Sequence, residues 1–249
     1  MFTALLEDIN LLRDSIATIS ELIDEGLFKI KKTGIELLAS DRAVVAVVDF
    51  NLNAKNFKEY NYDSDASFGL NLSDFLQVLR RAKPNDILSI KLDENRIELT
   101  FKNDSVRRFT IPIIEIREEI PVGVDKLAFP VQINLKSEIL SDGIDDADLV
   151  SDSVIFDINK ERVIMKAQGD SNSSELKIAK ESEGLIKLDG EKEVRARYSL
   201  DYLKKMIKAR KLSDTVNLFI DSNYPLKLVF STPEKISMSF ILAPRIEEE

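Results

Sequence analysis

The sequence predicts an α+β protein built from two tandem repeats of one domain, with helices on one face and antiparallel sheets on the other. Residues 11–39 align without a gap with residues 139–167, and eight of the 29 pairs are identical. At nearly the same offset, residues 73–83 align with residues 200–210. Because two separate blocks share nearly one offset, chance is a poor explanation, and each half is expected to fold as one copy.

Each repeat is expected to contain two helices. Apolar residues recur at three- and four-residue steps from Ile9 to Ile23, which predicts the first helix. The second helix is expected to begin after Ser73 as its N-cap. The copies of the first and second helices are expected near residues 137–149 and 200–210, respectively. The second helix should bury one apolar set: Phe75, Val78, Leu79 and Ala82.

Strands fill most of the remaining chain. Residues 27–39 and 154–167 each predict a β-hairpin, with turns at 32–34 and 159–161. Residues 43–52 form a continuous run of mostly apolar, β-branched residues, which predicts a buried strand.

A connector separates the copies. Residues 117–130 contain two prolines, one glycine and no hydrophobic periodicity, so they are expected to run over the surface in extended form. The predicted division is a first domain at 1–116, the connector, and a second domain at 131–249. The last ten residues pass from an apolar strand into an acidic tail.

Composition excludes several classes of chemistry. The chain has no cysteine and no histidine, which removes disulfides, thiol nucleophiles, Ser-His dyads and most zinc sites. We therefore expect a binding protein without cofactor or metal rather than an enzyme. No apolar run reaches the length of a membrane span, and the N-terminus lacks a basic segment followed by an apolar one. The expected location is cytoplasmic.

The charge is unevenly distributed. The net charge of −9 argues against a protein that simply coats nucleic acid. Basic residues nevertheless gather at equivalent places of the two repeats: Arg80, Arg81 and Lys83 in the first, and Lys204, Lys205, Lys208, Arg210 and Lys211 in the second. The pattern indicates either one shared basic surface or two solvated helix faces.

Two enzymatic alternatives are weaker. Asp145, Asp146 and Asp148 suggest a carboxylate–metal nuclease, but adjacent helix positions diverge, so a solvated acidic face is favoured. A penicillin-binding-type site from 174–177 and 32–34 has the motifs in reversed order and no Ser-Asp-Asn. We reject this second alternative.

Four stretches carry a family resemblance: LIDEGLFKI (22–30), LASDRAVVAVVDFNL (38–52), DADLVSDSVIF (146–156) and LAPRIEEE (242–249). Together with the repeat and the connector, the chain resembles the PCNA-type DNA sliding clamps, most closely the archaeal ones. The resemblance implies a non-catalytic ring of three subunits around double-stranded DNA, nucleoid-associated, or nuclear in a eukaryote. A clamp-shaped scaffold subunit of a mixed ring with paralogous subunits is the alternative.

The resemblance implies three sets of site residues. DNA polymerase, flap endonuclease, DNA ligase and the clamp loader would bind, through a short peptide motif, a groove formed by Val45, Ile120, Val122, Val124, Pro225, Ile241, Ala243 and Pro244. The surface facing DNA would comprise Arg13, Arg80, Lys83, Lys204, Lys205, Lys208, Arg210 and Lys211. These residues would contact phosphates without reading bases.

The third set is the subunit interface. The resemblance implies that strands 107–114 and 173–180 are edges that pair between neighbouring subunits. The first helix of the second repeat has no basic residue, so its acidic face is assigned by charge complementarity to the neighbour's basic cluster. The expected interface residues are Arg81, Lys83, Arg108, Ile111, Asp142, Asp146, Leu176 and Ile178.

Overall fold

The computed structural model describes residues 2–117 and 120–246. The first repeat has nine strands and two α-helices: β1 (Phe2–Leu6), α1 (Ile9–Ile19), β2 (Glu25–Lys31), β3 (Gly34–Ser40), β4 (Ala46–Asn53), β5 (Glu59–Tyr62), β6 (Ala66–Asn71), α2 (Leu72–Leu79), β7 (Ile87–Leu92), β8 (Arg96–Lys102) and β9 (Val106–Pro112).

The second repeat has the same sequence of elements: β10 (Val131–Lys136), α3 (Ser137–Asp148), β11 (Ser153–Asn159), β12 (Arg162–Gln168), β13 (Ser173–Ala179), β14 (Leu185–Asp189), β15 (Val194–Ser199), α4 (Leu200–Met206), β16 (Thr215–Ile220), β17 (Leu226–Thr232) and β18 (Ile236–Leu242). The α+β class and the tandem repeat are confirmed.

The chain forms two compact units. Unit 1 comprises Met1–Arg42, Val48–Ile120 and Thr232–Met238, and unit 2 comprises Ala43–Val47, Pro121–Ser231 and Ser239–Glu249. Each unit thus contains a short piece from the other half of the sequence. In unit 1 the amide of Asn53 donates to the carbonyl of Lys235 at 2.9 Å, and in unit 2 the amide of Ala243 donates to the carbonyl of Val45 at 2.9 Å.

Strand order repeats between the units. Unit 1 has one sheet in the order β5-β1-β7-β8-β9 and a second set of paired strands in the order β4-β3-β2-β6. Unit 2 has β14-β10-β16-β17-β18 and β13-β12-β11-β15, which is the same order with nine added to each number. The register is also repeated, because Leu27 pairs with Gly69 in unit 1 and Ile155 pairs with Arg197 in unit 2.

Alternating burial along the strands builds each core. In unit 1, Phe28 stacks on Phe68 with ring centroids 5.4 Å apart and meets the ring of Phe75 from α2 at 5.9 Å. In unit 2, Phe156 meets Tyr198 edge-on at 5.9 Å. The Tyr198 hydroxyl is inside this core and donates to the carbonyl of Tyr224 at 2.7 Å, as a buried hydroxyl must.

The helix boundaries differ from the predicted ones. The first helix ends at Ile19, and Ile23 is buried from the turn that follows. The second helix begins at Leu72, and its cap is Asn71, whose side-chain oxygen accepts from the amide of Asp74 at 3.0 Å. Ser73 lies inside the helix and is exposed. The Ser73 cap was wrong because an amide oxygen two positions earlier already satisfies the free amide.

The buried set of α2 also differs from the predicted one. Phe75 and Leu79 are buried as predicted, and Leu72 and Leu76 join them. Val78 and Ala82 are only half-buried. The second helix of the second repeat is shorter than predicted, because α4 ends at Met206 and a 3-10 helix continues from Ile207 to Leu212.

The predicted buried strand at 43–52 begins later than expected. β4 starts at Ala46. Val44 is 53% exposed and has a φ of 57°, a conformation that a β-branched residue rarely adopts. The connector contains a 3-10 turn at Val124–Lys126, entered through Gly123 with a φ of 88°. Among the helices of residues 2–117 and 120–246, none is long and apolar enough to cross a membrane.

The corrected cap can be tested by substitution. We expect Asn71→Ala to lower the free energy of unfolding by about 1 kcal/mol, because the amide of Asp74 loses its partner. Ser73→Ala is the matched control and should change it by less than about 0.5 kcal/mol. Urea denaturation measures both variants. Equal losses in the two variants would contradict the assignment of Asn71.

Candidate functional surfaces

The end of α2 presents a basic cluster. Phe75, Leu76 and Leu79 bury one face of the helix, and Arg80, Arg81 and Lys83 follow at its exposed C-terminal end. Cations at this end are also favoured by the helix dipole. All three side chains are exposed, and their role in a shared DNA-facing surface stays a prediction.

A buried ion pair holds this cluster in place. Asp86 is 4% exposed, and its carboxylate accepts from the amide of Lys83 at 2.6 Å and from the guanidinium of Arg107 on β9. Arg107 also donates to the carbonyl of Arg81 at 2.7 Å and lies 5.3 Å from the centroid of the Phe101 ring. The backbone carrying Arg81 and Lys83 is therefore fixed to the sheet. Sequence reasoning missed this pair, because its members lie 21 positions apart.

The equivalent cluster of unit 2 lies on α4 and the 3-10 helix. In a 3-10 helix residues three apart align, so Ala209 and Leu212 are buried while Lys208 and Lys211 are exposed. Arg210 is exposed as well. The separation is incomplete, because Ile207 and Arg210 are also three apart and only Ile207 is buried.

Several cations of the predicted DNA-facing set have acidic partners in their own unit. Lys204 contacts Asp148 of α3 at 2.5 Å, and this hydrogen bond raises the pKa of Lys204. Lys205 contacts Asp201 at 2.8 Å, and Arg13 contacts Asp14 at 3.2 Å. By contrast, within the described residues the side chains of Arg80, Lys83, Arg210 and Lys211 have no acidic partner within 4 Å.

An exposed apolar set lies at the end of β18 in unit 2. Ile241, Ala243 and Pro244 are half-exposed, and so are Val45 and Pro225. Val122 of the connector is fully exposed, at 103%, and Val124 lies in the 3-10 turn after it. The eighth predicted residue, Ile120, belongs to unit 1 and is half-buried.

Two groups of contacts lie next to these apolar residues in the chain. Phe129, the last residue but one of the connector, meets Phe219 at 6.0 Å and Tyr224 at 5.7 Å, and Tyr224 precedes Pro225. Beyond Pro244, Arg245 contacts the carboxylate of Asp152 at 2.7 Å. The hydrogen bond from Arg245 lowers the pKa of Asp152. A lowered carboxyl pKa means that this contact stabilises the fold above the usual Asp range and is lost as pH falls through the lowered value.

Comparison with known proteins identifies the family. Residues 1–119 match the proliferating cell nuclear antigen N-terminal domain, and residues 123–245 match its C-terminal domain. The chain is 37% identical to the DNA polymerase sliding clamp of Thermococcus gammatolerans and 33% identical to that of Pyrococcus furiosus, over 94% of each chain. The chain belongs to the proliferating cell nuclear antigen (PCNA) family.

Solved structures agree. The crystal structure of PCNA from Thermococcus kodakaraensis superposes with a TM-score of 0.88 at 28% identity, covering 98% of this chain and all of the other. One chain of the crystal structure of a PCNA2–PCNA3 complex from Sulfolobus tokodaii superposes with a TM-score of 0.89 at 30% identity and the same coverage.

The two strands expected to pair between PCNA subunits lie at sheet edges. Among the described residues, β9 pairs only with β8, and β13 pairs only with β12. Ile111 on β9 and Ile178 on β13 are each 4% exposed, so their side chains are used by their own unit and only their backbones are available at the edge. Leu176 is half-buried, and Arg108 contacts Glu98 at 3.2 Å.

The acidic face of α3 is exposed in this PCNA-family chain. Asp142, Asp145 and Asp146 point outward while Leu140, Ile144 and Ala147 are buried. In residues 2–117 and 120–246, no group of three or more acidic side chains is close enough to hold a metal ion. Asp148 instead contacts Lys204.

Sequence reasoning also missed a pocket on unit 2. A concave site of about 270 Å³ is lined by Arg195, Arg197 and Arg245, with Ser222, Asn223 and Ile155 beside them. We call it the arginine pocket. Comparing the two repeats could have found it, because the residues aligned with Arg195 and Arg197 are Ser67 and Gly69.

Proposed function

We propose that this protein is a DNA polymerase sliding clamp, a non-catalytic processivity factor that encircles double-stranded DNA as a three-subunit ring and tethers replication and repair enzymes. The observation that carries the proposal is similarity over 94% of the length of archaeal relatives named DNA polymerase sliding clamp. The basic clusters, the exposed apolar set and the open sheet edges each supply a surface that this role requires.

The basic clusters suit DNA that must be held without being read. Arg80, Arg210 and Lys211 are exposed, and no acidic side chain of the described residues neutralises them. Long exposed cations attract phosphates at any sequence, so the duplex is centred electrostatically while the closed ring prevents its escape. Lys204 and Lys205 contribute less, because Asp148 and Asp201 already neutralise them.

We expect Arg80→Gln, Arg210→Gln and Lys211→Gln together to reduce DNA loading and polymerase stimulation. The dependence of DNA affinity on salt should become shallower, by about 0.9 in log–log slope for each phosphate that is no longer neutralised. The measurement is a primer-extension assay with clamp loader over a series of salt concentrations. Light scattering should show an unchanged assembly.

The matched control removes the same charge elsewhere. Lys32, Lys160 and Lys235 are exposed lysines at turns between strands, and their replacement by Gln changes the net charge equally. We expect these substitutions to leave stimulation unchanged. If both triple variants stimulate the polymerase as well as the wild type, the role of the helix-end cations is disproved.

The exposed apolar set suits a short partner peptide. Half-exposed Ile241, Ala243 and Pro244 and fully exposed Val122 leave apolar surface that a helical plug with aromatic anchors would cover. We propose that partner enzymes bind here through the Gln-x-x-aliphatic-x-x-aromatic-aromatic motif that the resemblance implies.

Replacing Ile241 with Ala and Pro244 with Gly should abolish most peptide binding. Truncating anchor side chains costs about 2 kcal/mol or more, which is roughly a 30-fold loss of affinity. Calorimetry with a synthetic motif peptide measures the effect. Val106→Ala, at a valine 66% exposed in unit 1, is the control. Wild-type affinity in the double variant would place the peptide site elsewhere.

The open edges suit ring assembly. An unpaired edge strand is an aggregation liability unless another strand covers it, and β9 and β13 supply one edge in each unit. We propose that β9 of one subunit pairs with β13 of the next. The exposed carboxylates of Asp142 and Asp146 would then meet Arg81 and Lys83 of the neighbour.

The acidic face of α3 is the testable part of this interface. We expect Asp142→Ala with Asp146→Ala to shift the solution mass from trimer toward monomer. Single exposed ion pairs contribute only about 0.2–1 kcal/mol, but three interfaces repeat the loss. Analytical ultracentrifugation at micromolar concentration measures the mass.

Glu94→Ala with Glu191→Ala removes two exposed carboxylates outside α3 and serves as the control. A trimer that survives in the Asp142/Asp146 variant would show that strand pairing alone holds the ring. A wild type that is monomeric at every salt concentration would favour a mixed ring, for which the PCNA2–PCNA3 complex of Sulfolobus tokodaii is a precedent with two different PCNA chains.

A further inference from the structure

The arginine pocket is built from one edge of the sheet and the end of β18. Along β15, Val194, Ala196 and Tyr198 are buried, so Arg195 and Arg197 point to the opposite face. The amide of Arg245 donates to the carbonyl of Arg197 at 2.8 Å and brings a third guanidinium to the same place. The Ser222 hydroxyl accepts from the amide of Arg195 at 3.1 Å and closes the side.

The first repeat shows that the fold does not need these arginines. At the equivalent place in unit 1, the amide of Ile114 donates to the carbonyl of Gly69 at 3.0 Å, and Ser67 stands where Arg195 stands. A Cβ added at Gly69 would lie 2.3 Å from the Ile114 carbonyl and 2.8 Å from the Ile116 side chain, so this place is filled. The same backbone arrangement therefore occurs in both units. In unit 1 it carries no charged side chain, and in unit 2 three arginines surround an open site.

Most acidic side chains near the pocket already contact a basic side chain of their own unit. Asp152 contacts Arg245, and Asp221, next to Ser222, contacts Lys192. Asp157 faces Arg195 across the β11–β15 pair but contacts Lys166 at 3.1 Å. Among the described residues, the side chain of Arg195 has no acidic partner within 4 Å. Arg195 is exposed, so its guanidinium is available to a ligand.

The pocket borders the proposed peptide site. Arg245 directly follows Pro244, and Asn223 is two residues before Pro225. A peptide seated on the exposed apolar set therefore carries its flanking residues past Arg195 and Arg245. Nucleic acid is less suited to this site, because the cations without acidic partners that we assign to DNA lie at the ends of the second helices and not on β15.

We propose that the arginine pocket binds acidic side chains that flank the apolar motif of partner peptides. The proposal rests on the peptide site proposed for this chain and adds a charge preference to it. A guanidinium presents paired donors that match a carboxylate, which a lysine does not. The net charge of −9 opposes an acidic ligand at long range, but salt screens that repulsion beyond about 8 Å, so at short range the guanidinium of Arg195 is the charge that such a ligand meets.

The test compares peptides that share one motif and differ only in the flank. Three versions carry two glutamates, two alanines or two lysines, placed before or after the motif, and calorimetry measures their affinities. The wild type should bind the better-placed glutamate version about fivefold more tightly than the alanine version at low salt. Arg195→Ser, which copies the first repeat, should remove the preference, and Arg195→Glu should reverse it in favour of lysine. Lys160→Ala should leave it intact.

The outcomes separate the two proposals. If the alanine peptide binds but glutamate gives no advantage in the wild type, the arginine pocket is disproved and the peptide site stands. A glutamate preference that persists in Arg195→Ser and Arg195→Glu would equally disprove the pocket. If no version binds, both proposals fail. A single-stranded oligonucleotide whose binding falls in Arg195→Ser, without any glutamate preference, would identify nucleic acid as the ligand instead.

Discussion

Burial on one side of each element determines where this protein can place functional residues on the other. A strand turns successive side chains to opposite faces, so burying Val194, Ala196 and Tyr198 leaves Arg195 and Arg197 outward. A helix behaves similarly, because Leu140, Ile144 and Ala147 bury α3 on one side and leave its aspartates exposed. Each of these surfaces is thus the solvent side of a core element. The packing of the core therefore fixes where the exposed side chains of these elements lie.

Repetition gives the chain an internal comparison. Both units use the same strand order and register, so aligned residues that differ show where the two units differ in packing or in surface chemistry. Basic residues recur in both copies at the end of the second helix, which suits a surface that acts around a whole ring. The arginine pocket lies in unit 2, and the residues of the first copy aligned with Arg195 and Arg197 are Ser67 and Gly69.

The net charge of this protein does not describe the charge at its individual surfaces. The chain carries a net charge of −9, yet its cations are concentrated at a few places. Some are neutralised within a unit, as Lys204 is by Asp148, and some serve the fold, as Arg107 does by holding Asp86. Counting basic residues along a helix therefore overstates the charge available to DNA. The ion pairs within each unit decide which basic side chains remain available.

The sequence by itself determined the repeat, the α+β class, the approximate positions of the four α-helices and the two hairpins. These follow from short-range periodicity, which depends on residues a few positions apart. Even so, competing local interactions place some helix and strand boundaries away from their predicted positions. Asn71 caps α2 in place of Ser73, and the backbone of Val44 turns before β4 begins.

Only the tertiary structure decided which side chains meet. Asp86 and Arg107, Lys204 and Asp148, and Arg245 and Asp152 are 21, 56 and 93 positions apart. The three arginines of the pocket likewise come from β15 and from the segment after β18. No local pattern encodes such pairs, because each forms only when strand pairing and core packing have brought distant backbone segments within hydrogen-bonding distance.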